Sequence, residues 1–202
     1  MFDSGPLDKA EHTSRPWRIH EVAKDFRLLD VWALPTPGGP GDFPRLVQLM
    51  AEYEPGRSSI VVRSLFAIRF ALGRVLGIDR PEAGLGARVG TLRDRLPSDL
   101  AGTATDFGAD ADPFIPLYVT DDEFAMEIAN QTVHGVLHVG WVADEAGGYR
   151  GQMAVLVKPN GLMGSMYMAA IAPFRHLAVY PVMLREIGWA WRQPVSGGNN
   201  ER

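Results

Sequence analysis

Residues 160–192, NGLMGSMYMAAIAPFRHLAVYPVMLREIGWAWR, constrain the fold more than any other stretch of the chain. From Tyr167 onward, apolar or small residues recur at Ala170, Phe174, Leu177, Pro181, Leu184, Gly188 and Trp191. Steps of three and four describe the apolar stripe of a helix lying on a core. Asn160 suits the N-cap of that helix. Pro173 and Pro181 each remove a helical hydrogen bond, which predicts one long, kinked helix over 161–192. The charge-free run 159–174 is 16 residues long and contains two prolines and two glycines. That is short of the ~20 apolar residues that a membrane span needs, so a core helix is the reading.

Ahead of this helix lie four segments with strand periodicity, 114–120, 123–130, 133–143 and 149–158. In the third, Val133, Leu137, Val139 and Trp141 share one face while His134 and His138 share the other. In the fourth, Tyr149, Met153, Val155 and Val157 oppose Arg150, Gln152 and Lys158. Residues 144–148, DEAGG, form a hairpin loop between these two. The alternation predicts an antiparallel sheet with one covered face and one wet face, and it sends Glu123, Glu127, His134 and His138 to the wet side.

Earlier in the chain, 26–34 (FRLLDVWAL) reads as a strand stopped by the breaker cluster PTPGGP. Asp42 reads as the N-cap of a helix through Phe43, Leu46, Val47 and Met50. A further helix is predicted over 59–76, with Val61, Leu65, Ile68, Leu72 and Val75 as its core stripe. Phe66 and Phe70 sit on its opposite side, framed by Arg63 and Arg74, and mark either a second packed face or a contact surface such as a homodimer interface. Residues 80–112 read as an irregular connection. Residues 1–14 are polar and aperiodic and read as a disordered lead-in; 15–193 read as a single domain and 194–202 as a disordered tail.

The totals narrow the function classes. A net charge of −4 argues against a general nucleic-acid binder. With no cysteine, thiol catalysis and cysteine metal sites are excluded. The first residues lack a basic and an apolar signal region, so the expected location is cytoplasmic. Gly84, Gly86 and Gly90 lack the strand and spacing of a dinucleotide-binding turn. His134 and His138 lie four residues apart on a strand, about 13 Å, too far to share one ion. Asp106, Asp110 and Asp112 match a calcium loop in composition only. No cofactor or metal is expected.

What remains is the space between sheet and C-terminal helix. The inward residues Phe124, Met126, Ile128, Leu137, Val139 and Trp141 face the stripe from Tyr167 to Phe174. Tyr167 and Asn130 are the polar groups expected there, and Arg69 the flanking cation. His176 points away from the stripe and reads as a surface or capping residue.

Val157, Asn160, Gly164, Tyr167, Ile171, Pro173-Phe174 and His176 together resemble the C-terminal signature of an uncharacterised bacterial family, a domain of unknown function. That family is placed in the START-like helix-grip (SRPBCC) superfamily, which includes the polyketide cyclases. Leu65, Arg69 and Leu76-Gly77-Ile78 are similar to its second-helix pattern, and the likeness runs roughly over 25–192. Its histidine directly follows Pro-Phe, whereas here Arg175 intervenes. The resemblance implies an α+β helix-grip fold, a curved antiparallel sheet wrapped around a long C-terminal helix and enclosing an apolar pocket. The first functional expectation is binding of a small hydrophobic molecule by Tyr167, Trp141, Phe174, Arg69, Asn130, Leu137 and Met126. The alternatives are a cyclase-like enzyme with acid–base groups in the pocket, and a partner- or membrane-surface module using Phe66 and Phe70.

Overall fold

The structure is a computed structural model that describes residues 4–52, 90–103, 114–129, 133–145, 147–161, 168–169, 172 and 175–194. The expected helix over 59–76, with Arg69, Phe66 and Phe70, lies outside the described residues. So do Asn130, Tyr167, Phe174, the three aspartates of 106–112 and the tail beyond Pro194.

The fold is α+β, built on a five-stranded antiparallel sheet. Its strands are β1 (Arg27–Ala33), β2 (Ile115–Val119), β3 (Glu123–Ala129), β4 (Val133–Ala143) and β5 (Tyr149–Pro159), in the order β1-β5-β4-β3-β2. Four of these strands were legible as alternating runs, and β1 as a run of strand formers ahead of a breaker cluster. The 144–148 loop closes as expected, with the Asp144 N–H donating to Gly148 O at 2.9 Å and Gly147 at φ +84°.

One sheet face carries Trp32, Phe124, Met126, Val139, Trp141 and Met153. Against it pack α3 (Phe43–Ala51) and the C-terminal helix α4 (Tyr180–Arg192), which contributes Tyr180, Leu184, Ile187 and Trp191. Gly151 lets these layers close. A Cβ there would come within 2.8 Å of both Leu34 and Leu46. Asp42 precedes α3 as expected, but its carboxylate accepts the Gly39 N–H at 2.7 Å rather than capping the helix.

A π-helical turn, Arg175–Val179, leads into α4, and Pro181 falls in the first turn of α4, where its missing N–H costs least. The wider π turn breaks the phase of the apolar stripe. Leu184, Gly188 and Trp191 are buried as the stripe demands, but Leu177, expected in the core, is 81 % exposed. Of the earlier part of the expected helix, residues 161, 168, 169 and 172 are described, and they are helical.

The other face is where the expectation of a wet surface fails. Trp17, Ile19, Val22, Leu92 and Leu100 cover it, together with inward residues of every strand. This cover comes from residues 4–23, including the short helices α1 (Ala10–Thr13) and α2 (Ile19–Val22), and from the segment 90–103. For residues 4–14 the reading of a disordered lead-in is therefore corrected. The Leu7 N–H donates to Val31 O and the Ala33 N–H to Gly5 O, both at 2.8 Å, so this segment also lines the open edge of β1. Gly140 makes room for the cover, since a Cβ there would sit 2.6 Å from the Trp17 ring.

Candidate functional site

Two polar clusters sit on the sheet, one per face, and they differ in how completely their groups are engaged. On the face under residues 4–23, Glu123 and Glu127 of β3 reach diagonally across to β4. His138 pairs with Glu123 and His134 with Glu127, each at 2.7 Å. All four were expected in solvent; all four are buried. Glu127 also accepts the Thr91 hydroxyl and, at 3.1 Å, the Leu92 N–H. Glu123 accepts the Arg18 N–H at 2.7 Å. His138 is bonded on both ring nitrogens, its Nδ1 lying 3.0 Å from His12 Nε2.

Burial dominates the electrostatics of this cluster. It lowers His12 and His138 to about 3, with neighbouring histidines contributing, and raises Glu123 to about 7. Burial works against the Glu127 carboxylate as well, yet the hydrogen bonds from His134, Thr91 and Leu92 hold it below its ordinary value. The ladder is sealed and nearly saturated, which is the character of a structural element.

On the opposite face the chemistry is more open. Between Leu28 and Asp30 the β1–β5 register shifts by one residue, so Asp30, Trp32 and Leu34 face α4 while Leu28 and Val31 face the other way. This β-bulge aims a carboxylate at the helix layer. Asp30 is buried, and its charged and hydroxyl partners among the described residues come from the start of the C-terminal helical segment. Arg175 donates to its Oδ2 from Nε at 2.9 Å, and its Nη2 lies 2.8 Å from the same oxygen in the ion pair. The Tyr180 hydroxyl donates to the same oxygen at 2.8 Å, and His176 Nε2 lies 3.0 Å from Oδ1. Trp32 flanks the set, its ring 4.7 Å from Tyr180 and 5.9 Å from His176. Burial, and then the Asp30 charge, push the Tyr180 hydroxyl above its usual range.

The pairing register places an apolar row beside Asp30. Across the sheet, Asp30 pairs with Val155, Val155 with Leu137 and Leu137 with Met126. Leu137 and Val155 are only partly buried. Among the described residues, two buried nitrogens near the Asp30 end have no hydrogen-bond partner, Trp32 Nε1 and Arg175 Nη1.

The expected binding residues thus separate. Leu137 and Met126 lie on the Asp30 row. Trp141 is one pair of rows away and is sealed into the core, donating to Gly39 O at 3.0 Å with Trp191 and Phe43 around it. Among the described residues, a cleft of about 470 Å³ lies between α3 and the β2–β3 turn, lined by Phe43, Val47, Ala51, Val119 and Thr120, and Trp141, Leu137 and Met126 are not in its lining. His176, expected at the surface, is 42 % exposed yet engaged with Asp30.

A family model described as "Protein of unknown function (DUF2867)" matches residues 22–182, most of the chain. The chain belongs to this family. No curated protein and no solved structure matches it. The matched range of this DUF2867 member takes in β1 with Asp30, the π turn with Arg175 and His176, and the start of α4 with Tyr180. Asp30 was overlooked in the sequence although a signal existed: a carboxylate inside the apolar run LLDVWA must find a partner if that run is a buried strand. The His–Glu ladder had one too, in the equal four-residue spacings of Glu123/Glu127 and His134/His138 on adjacent strands.

Proposed function

We propose that this protein binds a small hydrophobic molecule carrying an oxygen acceptor at one end, with its apolar body along Val155, Leu137 and Met126 and its head at Arg175 and Trp32. The fold reading that goes with it is a START-like helix grip of the SRPBCC superfamily. It is supported by the sequence resemblance, and by a five-stranded antiparallel sheet with a C-terminal helix packed on one face.

One observation carries the binding reading. Two buried N–H donors, Trp32 Nε1 and Arg175 Nη1, are left without acceptors at the end of a partly covered apolar row. A buried donor without a partner costs about 1–3 kcal/mol, which a ligand oxygen relieves on arrival. Both nitrogens are shielded from water, so the ligand enters by displacing side chains over the Asp30 end, and its apolar body replaces the contacts they lose. The Asp30 charge is already met by Arg175, so the site offers donors and no net attraction for a cation.

A ten-carbon series with the full chain tests this by calorimetry. 2-Decanone and decanoate are expected to bind, and decylamine, whose head presents only donors, is not. Trp32→Phe is expected to weaken 2-decanone binding by the value of one hydrogen bond, about 0.5–1.5 kcal/mol. Equal binding of all three heads, or no binding of any, would overturn the reading.

A further inference from the structure

We propose that His176 is a catalytic base that takes a proton from the carbon next to a carbonyl in the bound molecule, while Arg175 holds the carbonyl oxygen; the proposal rests on the ligand reading above.

The three histidines that sit on a carboxylate provide the comparison. His138 is buried, with both ring nitrogens engaged. His134 is buried, bonded to Glu127 and packed edge-on to Phe26 at 4.9 Å. His176 also has a carboxylate on one nitrogen, Asp30 Oδ1 at 3.0 Å from Nε2, but its ring is 42 % exposed. The carboxylate beside Nε2 favours a proton on that nitrogen. With Nε2 beside Asp30, Nδ1 is the nitrogen left for a substrate, and among the described residues it has no hydrogen-bond partner. A base oriented by a buried acid, with its other nitrogen open, is the arrangement that proton abstraction requires.

The second half of the chemistry lies in the adjacent residue. Arg175 uses Nε and Nη2 on Asp30, and its Nη1 is buried and unpartnered among the described residues. A guanidinium held rigidly by its own carboxylate is a preorganised donor for an oxygen on which charge develops, in a site shielded from water. Trp32 Nε1 is a second such donor. No hydroxyl nucleophile bonds His176 among the described residues, so the chemistry these groups carry by themselves is a proton transfer.

In the step, the C–H bond breaks and the proton bonds to Nδ1. The electron pair moves into the carbonyl to give an enolate, whose oxygen accepts from Arg175 Nη1. The new imidazolium is paired with Asp30. Return of the proton to the same carbon, or to another along the conjugated system, completes the cycle without a further reactant. Asp30 acts here as a positioning residue, touching His176 and Arg175 rather than the substrate.

The test follows α-proton exchange of 2-decanone in D2O by proton NMR, with the full chain and with His176→Gln, and measures binding of the same ketone by calorimetry. Exchange above the buffer rate is expected for the natural chain. His176→Gln is expected to lower it at least about 100-fold, the usual contribution of a general base, while binding changes less than about tenfold. His176→Asn, with its circular dichroism compared, serves if the Gln variant does not fold. Binding without exchange would overturn the base and leave the ligand reading standing. Exchange that persists in both variants would assign the chemistry to another group. Absence of ketone binding would overturn both readings.

Discussion

Asp30→Asn is the most informative single change for stability, because it keeps the shape of a group that accepts two hydrogen bonds and forms two ion-pair contacts, and removes its charge. Arg175, only 15 % exposed, loses its counter-ion, and the Tyr180 hydroxyl and His176 lose a charged acceptor. Breaking a buried ion pair by removing one member costs about 3–5 kcal/mol. The remaining exposure of Arg175 relieves part of that, so about 3 kcal/mol is expected. For a domain of this size that amounts to a fall in Tm of about 6–12 °C. The partner change, Arg175→Met, removes the orphaned charge. The double variant Asp30→Asn/Arg175→Met is therefore expected to cost less than the sum of the two singles, by about 2 kcal/mol. Urea unfolding followed by far-UV circular dichroism reads both quantities, with the m-value serving as the check that the unfolded state has not changed. A cost below about 1 kcal/mol for Asp30→Asn, or strict additivity in the double variant, would refute a buried, coupled pair at the bulge.

Further outcomes follow from the opposite face. Stability is expected to fall as pH drops from about 6.5, because His12 and His138 take up protons when unfolded but not when folded, where each is lowered to about 3. Glu123, raised to about 7, binds a proton in the folded state and opposes this. Two protons against one leave a net slope on the order of 1.4 kcal/mol per pH unit between about pH 6.5 and 4.5, and urea midpoints measured across that range will show it or exclude it. Glu127→Ala strands His134, Thr91 and the Leu92 N–H at once and is expected to cost at least about 3 kcal/mol in the same assay. Gly140→Ala drives a methyl into the Trp17 ring and is expected to cost about 1–3 kcal/mol, with a shift in the tryptophan emission that reports the displaced cover.

How much of this was legible depended on which physical signal each part leaves. Strand order along the chain and the inward set Phe124, Met126, Val139 and Trp141 followed from period-two alternation, which burial on one face enforces. Alternation separates two faces but does not say which of them is wet. Glu127 and His138 therefore read as solvent residues, when in fact each meets its opposite number across the strands. The ordering of residues 4–23 was illegible locally, because His12 and Trp17 are held by His138 and Gly140, more than a hundred residues away. Leu177 was misplaced because a π turn carries no apolar period of its own. Asp30 became a site residue through a bulge, and a one-residue register shift leaves no mark in composition.

The central claim concerns where an oxygen acceptor is received, and the indole N–H groups report on it directly. In a nitrogen–proton correlation spectrum, each of the five tryptophans contributes one indole signal, assigned by Trp→Phe substitution. Trp141 already donates to Gly39 O and Trp191 to Pro37 O, whereas Trp32 Nε1 has no partner among the described residues. On titration with 2-decanone, the Trp32 indole proton is predicted to move downfield as it gains an acceptor, while those of Trp141 and Trp191 stay in place. Movement of Trp141 or Trp191 with Trp32 unchanged would contradict the account and place the ligand elsewhere on the fold.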